Sequence, residues 1–180
     1  MAYSSPVIVQ RYIKNPLLIR GYKFDLRIYV LLTSIKPLEI FLYKEGFARF
    51  STETFSLNPA SLQNNQIHLT NYSIQKHYIK QGCTRDLVSD PVLEGSKISL
   101  RTLKMKLKAY GVKWKSIWKK MQEVIIKTLI MAVHAIPHQP NNFELFGFDI
   151  MFDRNLKCWL IEVNSSPSLA RDFFVDELIK

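Results

Sequence analysis

Apolar and polar side chains alternate through most of the first 55 residues, and this period of two restricts the fold more than any other feature. Successive side chains of a strand point to opposite faces, so alternation is typical of strands with one buried face. The pattern predicts strands at residues 7–13, 24–32 and 38–43. Turn-forming pairs separate the strands and predict a mostly antiparallel meander: Asn15-Pro16, Arg20-Gly21 and Lys36-Pro37.

After residue 98 the apolar residues recur every three or four positions, which is the period of a helix. They predict a short basic helix over residues 99–110 and a longer helix over residues 114–136, which Pro137 ends. The longer helix has an apolar stripe at core spacing, so we interpret it as structural, with a partner-binding helix as the alternative. The stripe consists of Trp118, Met121, Val124, Ile125, Thr128, Leu129, Ala132, Val133 and Ile136. Strands and helices together predict an α+β fold with helices covering the sheet.

A second region of alternation predicts a hairpin near the end of the sequence. Residues 146–152 and 158–163 have strand patterns, and the segment Asp153-Arg154-Asn155 between them favours a tight turn. Centring this turn on Arg154 and Asn155 pairs Asp149 with Leu160 across the hairpin.

Three oxygen-bearing side chains share one face of this predicted hairpin. Glu162 lies diagonally opposite Asp149, and Asn164 continues the same face. Diagonal neighbours are about 7 to 8 Å apart, close enough for oxygen ligands to share a hard cation. Carboxylates among apolar neighbours are costly unless something neutralises them, so these residues are candidate Mg²⁺ ligands, and such a site indicates a bound nucleotide. Alternatively, both acids pair with lysines at the rim of the sheet.

Two further segments concentrate polar side chains. Lys23, Asp25 and Arg27 share one face of a predicted strand, which indicates either a binding face or an ordinary solvated face. Residues 68–73 combine five hydrogen-bonding side chains in six positions, a density typical of ligand contact. A turn capped by its own Asn and Ser side chains is the alternative. The remainder of residues 58–96 has the composition of a loop.

The net charge limits the classes of partner. Lys and Arg number 25 against 15 Asp and Glu, and the resulting +10 attracts nucleotides, nucleic acids, anionic lipids or acidic protein tails. Nucleic-acid binding is the weaker hypothesis, because most aromatic residues occupy apolar strand and helix positions and do not lie among Arg and Lys residues. No apolar run approaches the roughly 18 residues of a membrane span, and the first residues lack the pattern of a secretory signal. Two cysteines without a metal or bridging pattern fit a reducing compartment.

Six motifs in order resemble those of the tubulin–tyrosine ligase-like family, from about residue 7 to about residue 172. Their order and spacing match throughout, which is far more specific than any single motif. They read VQRYIKNPLLI at residues 9–19, KFDLR at 23–27, EGFARF at 45–50, HLTNYS at 68–73, FELFGFD at 143–149 and WLIEVNSSPSL at 159–169.

The resemblance implies an ATP-grasp-like fold that is incomplete at the N-terminus, with residues 1–180 as the central and C-terminal part of one domain. It implies an ATP- and Mg²⁺-dependent ligase that adds glutamate to glutamate side chains of tubulin tails through an acylphosphate. A glycine-adding tubulin ligase and a non-catalytic module that binds tubulin tails are the alternatives. Measured nucleotide binding would separate the ligases from the binding module.

The resemblance also implies a role for each matching residue. Nucleotide binding is implied for Gln10, Arg11, Tyr12 and Ile13 at the adenine, for Lys23 and Asp25, and for Thr70 and Asn71 at the phosphates. Catalysis is implied for Arg27 and Arg49, and Mg²⁺ binding for Asp149, Glu162 and Asn164. Binding of the incoming amino acid or of the acceptor carboxylate is implied for Arg49, Tyr72, Ser73 and Lys97.

The implied partners are free L-glutamate, microtubules and the acidic C-terminal tails of tubulin, with no nucleic acid and no membrane. The implied location is the cytoplasm and cytoskeleton, with the cilium or basal body as further sites. Lysines concentrated in one segment are expected to attract such a tail, although a solvated helix surface is the ordinary reading of a basic segment. They are Lys104, Lys106, Lys108, Lys113, Lys115, Lys119 and Lys120.

Overall fold

A computed structural model describes residues 8–71, 74, 96–136 and 142–169. The described residues form six strands: β1 (Leu18–Ile19), β2 (Tyr22–Ile35), β3 (Leu38–Thr54), β4 (Lys97–Ser99), β5 (Glu144–Phe152) and β6 (Cys158–Ser165). Their helices are a 3₁₀ turn (Pro59–Ser61), α1 (Asn65–His68), α2 (Leu100–Ala109) and α3 (Trp114–Ala132).

The strands form one antiparallel sheet in the order β4-β3-β2-β5-β6, and β1 pairs with the start of β2. The long β2 and β3 contain the predicted strands at residues 24–32 and 38–43, and they are joined by the predicted turn at Lys36 and Pro37. The prediction of a mostly antiparallel α+β fold is therefore confirmed.

The apolar core lies between one face of the sheet and the helices α2 and α3. Alternate residues of β2, Phe24, Leu26 and Ile28, contribute to it from the sheet. Four residues spaced four apart contribute from α3: Ile117, Met121, Ile125 and Leu129. Because residues four apart stack on one side of a helix, this stripe confirms the structural interpretation of α3. The opposite face carries the charged residues of β2 together with a small apolar cluster of Tyr29 and Phe47.

Both long helices have identifiable ends. The Ser99 hydroxyl accepts a hydrogen bond from the Thr102 amide and caps α2, as serine commonly does at a helix start. The predicted helix 114–136 is wrong at its end, because α3 finishes at Ala132. The Ala135 amide donates to the Ala132 carbonyl, so the chain closes into a tighter turn before Pro137.

The strand predicted at residues 7–13 is wrong. Residues 8–13 form no strand, and Ile8 and Val9 are exposed; residue 7 lies outside the described part. Alternation produces a strand only where the backbone finds a pairing partner, and this segment runs beside β6 without one. Pairing begins at Pro16, which bridges Asp153. Within the predicted loop at 58–96, the described residues form the 3₁₀ turn and α1, and β4 begins directly after it at Lys97.

The C-terminal hairpin is present, but the predicted register is wrong. Asp149 pairs directly with Glu162, not with Leu160, and a bulge lies between the pairs Asp149–Glu162 and Ile150–Leu160. The connection is also longer than a tight turn, since it runs from residue 153 to residue 157. Within it, the Asp153 carboxylate accepts hydrogen bonds from the Asn155 and Lys157 amides. Neither the bulge nor the longer connection has a signal in the hydrophobic pattern.

Two methionines of α3 test the position of the core. Met121 is fully buried and Met131 is 83% exposed, so Met121→Ala is expected to lower the free energy of unfolding by about 2–5 kcal/mol. Met131→Ala is the matched control, and its effect should stay within about 0.5 kcal/mol. Urea denaturation of both variants measures this difference. Equal effects would show that the α3 stripe does not pack on the sheet.

Candidate functional site

The face of the sheet opposite the helices carries the charged residues of β2. Lys23, Asp25 and Arg27 alternate with core residues, as the sequence predicts. They are not a solvated face, because Asp25 is buried and the other two are at most partly exposed. Neighbouring strands must therefore provide partners for these charges.

Asp149 of β5 is the centre of a buried ion-pair cluster. Its two carboxylate oxygens accept hydrogen bonds from Arg27 Nε at 2.5 Å and Arg27 Nη2 at 3.0 Å. Arg49 Nη2 donates to the same carboxylate at 2.8 Å and also pairs with Asp25. The register explains these contacts, since Arg27 lies opposite Asp149 and Arg49 lies opposite Asp25. Both arginines are fixed by carboxylates on adjacent strands.

The charges of this cluster stabilise one another. Burial alone raises the pKa of Asp149, but the hydrogen bonds and charges of Arg27 and Arg49 hold that pKa below its usual value. Burial likewise opposes the charge of Arg49, yet Asp25 and Asp149 together raise its pKa. Asp149 is therefore ionised at neutral pH although only 2% of its surface is exposed. The open alternative of lysine pairing at a sheet rim is wrong for Asp149, whose partners are the partly buried Arg27 and the buried Arg49.

A bulge at Ile161 brings Glu162 to the polar face. Near the turn, Ile150 pairs with Leu160; continued without a shift, this register would place Glu162 opposite Phe148 on the core side. The extra residue moves Glu162 opposite Asp149. Directly paired residues share a face, so the two carboxylates lie on the same side of the sheet, as predicted.

The predicted metal ligands have a donor set that suits Mg²⁺. The Asn164 amide donates to Glu162 Oε1 at 3.1 Å, so these two side chains are already neighbours. The Asp149 carboxylate has about four lone-pair sites and accepts three hydrogen bonds from the arginines, two at Oδ2 and one at Oδ1, so one acceptor position remains at Oδ1. Among the described residues, no group of three or more His, Cys, Asp or Glu side chains forms a metal site; here the third oxygen donor is an amide.

A cavity of about 150 Å³ lies beside the cluster. It brings together most of the residues predicted to bind nucleotide phosphates, metal and substrate: Lys23, Asp25, Arg49, Thr70, Asn71, Asp149 and Glu162. Arg27, Lys97 and Asn164 do not line it. Lys97 is buried opposite Arg49 in the β3–β4 register, with Nζ at 4.9 Å from the centre of the Phe47 ring. Tyr72 and Ser73 lie outside the described residues.

The predicted adenine segment lines a second, larger space. Gln10, Arg11, Tyr12 and Ile13 form one side of a groove of about 540 Å³, and residues 159–161 form the other. Ile161, the bulge residue, lines both the groove and the smaller cavity. The two spaces are therefore adjacent, with Ile161 between them.

His68 is a residue of the site to which the sequence analysis gave no role. Its ring contacts Tyr12 of the groove, and its main-chain carbonyl accepts from Lys23 Nζ at 2.5 Å. Burial lowers the pKa of Lys23, and Asp25 opposes that effect. The one available signal was position, because His68 begins the polar segment 68–73.

Gly147 leaves room for the Arg27 side chain. A Cβ atom added at Gly147 would lie 3.0 Å from Pro167 Cβ and 3.2 Å from Arg27 Cδ. Glycine at this position therefore allows Arg27 to lie flat across β5 and reach Asp149.

Comparison with known proteins gives a consistent set of similarities. The family model of the tubulin-tyrosine ligase family matches residues 1–180. The human protein "Probable tubulin polyglutamylase TTLL2" is 46% identical over 173 residues, which is 96% of this chain and 28% of that protein. The mouse proteins "Tubulin polyglutamylase TTLL6" and "Tubulin polyglutamylase TTLL5" are 44% and 45% identical over 97% of this chain. The chain spans 22% and 14% of their respective lengths.

No helix among the described residues is long and apolar enough to cross a membrane.

Replacing Asp149 tests the electrostatics of the cluster. Asp149→Asn keeps the shape of the side chain but leaves buried guanidinium groups without its charge, so we expect a loss of about 3–5 kcal/mol at pH 7. A carboxyl with a depressed pKa stabilises the folded protein above its unfolded pKa, and that contribution disappears as the pH falls through the folded pKa. The difference between wild type and Asp149→Asn should therefore shrink below about pH 4.

Urea denaturation from pH 2 to pH 7 measures this dependence. The exposed Glu123→Gln is the control, because it removes a carboxylate without touching the cluster. An Asp149→Asn variant as stable as wild type at pH 7 would contradict the electrostatic account.

Proposed function

Because the chain belongs to the tubulin-tyrosine ligase family, we propose that it forms part of an ATP-dependent ligase that adds glutamate to glutamate side chains of tubulin tails. The similar proteins named tubulin polyglutamylases support glutamate as the amino acid added. The proposal concerns the whole protein, of which these residues would provide a nucleotide, metal and substrate site.

The convergence of oxygen donors and cations on one cavity is the observation on which this proposal rests. Asp149 and Glu162 lie opposite each other, and Lys23 and Arg49 border the same space. Carboxylates at a cavity that also contains cations suit a polyphosphate with its metal, since both signs of charge need partners. The neighbouring groove has the size and the aromatic side chains, Tyr12 and Trp159, to receive a nucleobase.

An ATP-grasp-like architecture is the arrangement that we propose for the complete domain. The antiparallel sheet with helices on one face and a polar cavity on the other supports it. In this proposal the base rests against residues 10–13, and Lys23, Thr70 and Asn71 contact the phosphates.

The chemistry follows from the poor reactivity of a carboxylate towards an amine. ATP with Mg²⁺ supplies an activated phosphoryl group, and the acceptor carboxylate becomes an acylphosphate while ADP leaves. The amino group of glutamate then forms the amide bond at the acyl carbon, inorganic phosphate leaves, and the amine loses a proton. Arg27 and Arg49 provide positive charge for the phosphoryl oxygens, and no protein nucleophile is needed.

Each charged residue therefore has a defined task. Asp149, Glu162 and Asn164 would hold Mg²⁺ through oxygen atoms. Arg49 has a planar guanidinium that suits a substrate carboxylate, and Lys97, Tyr72 and Ser73 would complete that side of the site. Asp25 and Asp149 pair with Arg27 and Arg49 and so keep both guanidinium groups oriented for this task.

The positive charge of residues 97–122 supports an acidic protein tail as the acceptor. Residues 97–122 contain nine Lys and Arg residues and no Asp or Glu, and most of the lysines on α2 and α3 are exposed. Such a surface attracts a glutamate-rich tail over distances limited by salt screening. Lys120 differs from the others, because its Nζ donates to the Leu156 carbonyl at 2.6 Å. Microtubules in the cytoplasm, the cilium or the basal body are the proposed setting.

A second candidate is a non-catalytic module that binds tubulin tails. The neutralisation of Asp149 by two arginines favours it, because the guanidinium groups already balance the charge of this carboxylate. ATP titration by calorimetry in the presence of Mg²⁺ separates the two, since only the ligase must bind nucleotide. A glycine-adding ligase shares the same nucleotide chemistry, and competition between labelled glutamate and glycine distinguishes it.

Glu162→Gln tests the proposed metal site. The change keeps shape and removes one of two carboxylates, so ATP-dependent glutamylation by the full-length protein should fall at least 100-fold while the fold is retained. The readout is incorporation of labelled glutamate into tubulin across a range of Mg²⁺ concentrations, with Glu123→Gln as the control. Retained ligation with normal Mg²⁺ dependence would refute the role of Glu162.

Charge reversal tests recognition of the acidic tail. Replacing the exposed residues Lys104, Lys108 and Lys115 by Glu should weaken binding of a tubulin-tail peptide at least tenfold. Wild-type binding should also weaken steeply between 50 and 300 mM salt, because exposed charges are screened over about 8 Å at physiological ionic strength. Lys36→Glu, at the distant β2–β3 turn, is the control. Affinity that is indifferent to salt and to charge reversal would leave these lysines without a role.

A further inference from the structure

His68 makes three hydrogen bonds, one to a groove residue, one to a cavity residue and one to the main chain of Ser61. Its Nδ1 lies 2.8 Å from the Tyr12 hydroxyl, and its Nε2 lies 3.0 Å from the Ser61 carbonyl oxygen. Its own carbonyl accepts from Lys23 Nζ. The residue is only 8% exposed, and its ring also meets that of Phe55 edge-on, with ring centres 5.8 Å apart. One residue thus contacts a side chain of each proposed ligand space.

The partners of the ring determine its tautomer. A carbonyl oxygen can only accept, so Nε2 must carry the hydrogen that it donates to Ser61. In the neutral ring Nδ1 is then the acceptor, and Tyr12 is the donor. A tyrosine hydroxyl carries its hydrogen at neutral pH, and partial burial raises the pKa of Tyr12 further. The direction of both hydrogen bonds is therefore set by the Ser61 main chain.

We propose that His68 is a positioning residue that couples the two spaces, by fixing Tyr12 at the groove and Lys23 at the cavity for a ligand that spans both. Lys23 Nζ lies 5.4 Å from the centre of the Tyr12 ring, so the two groups are held beside each other as well as through His68. Ordering these side chains before binding removes an entropic cost that the ligand would otherwise bear. The inference rests on the proposed nucleotide function.

Two conservative replacements separate the contacts of the ring. The carboxamide of His68→Asn takes the place of Nδ1 and retains an acceptor for Tyr12, whereas that of His68→Gln takes the place of Nε2 and retains a donor for Ser61. If the link to Tyr12 positions the ligand, Asn should preserve ATP affinity and Gln should lose about fivefold, the value of one hydrogen bond.

Tyr12→Phe completes the experiment. It should weaken ATP binding by about the same factor as His68→Gln. The double variant should bind ATP no more weakly than either single variant, because both changes remove the same hydrogen bond, that between Tyr12 and His68. In the full-length protein the KM for ATP should rise while kcat at saturating ATP stays unchanged. Calorimetry with ATP and Mg²⁺ gives the affinities, and thermal unfolding monitors the fold.

The possible results separate a positioning role of His68 from a purely structural one. Asn and Gln variants that lose affinity equally, in proportion to their loss of thermal stability, would reduce His68 to a structural residue and overturn the coupling. Wild-type affinity in Tyr12→Phe and His68→Gln would also overturn it while leaving the proposed function intact. A wild-type protein that binds no ATP would overturn both proposals together.

Discussion

The need to neutralise one buried carboxylate, that of Asp149, organises the polar side of this protein. Three strands meet this need: β5 carries the acid, and β2 and β3 bring Arg27 and Arg49 to it. Arg49 in turn requires Asp25, so the charges form a chain across the middle of the sheet. Each member is costly to bury alone, and removing one leaves the rest without compensation. The strand register and the room left at Gly147 are consequently tied to the site as much as to the fold.

The sheet separates two kinds of stability. Its helix side gains from apolar burial, which depends little on orientation, and its other side gains from directional bonds between charged groups in addition to the small Tyr29–Phe47 cluster. A ligand that competes for the oxygens of Asp149 therefore acts on Asp149 and its arginine partners. The side chains of these residues lie outside the apolar core, but that core fixes the position of their backbone. Such a division suits a site in which arginines must exchange a carboxylate partner for a substrate anion without any change of fold.

The sequence predicted what depends on periodicity. Alternation in β2 correctly placed Lys23, Asp25 and Arg27 on one face, and the α3 stripe correctly predicted a helix in the core. Prediction from periodicity failed where strand pairing depends on residues far away in the sequence. The alternating residues 8–13 find no strand partner, and the bulge at Ile161 changes the register without changing the hydrophobic pattern. The arginine partners of Asp149 and the link from Tyr12 to His68 were inaccessible for the same reason, since they join residues more than 50 positions apart. The roles assigned by resemblance to the site residues stay predictions.

The bulge at Ile161 has a consequence for how such a site can diversify. The hydrogen-bonded ladder of β5 and β6 does not use Ile161 as a pairing residue, so its identity, and even its loss, leaves Asp149 opposite Glu162. Yet this side chain forms the wall between the groove and the cavity. Substitutions at Ile161 can therefore change the shape of the boundary between the two spaces without disturbing strand pairing. The shape of the preferred ligand can change in this way while the charged cluster stays constant.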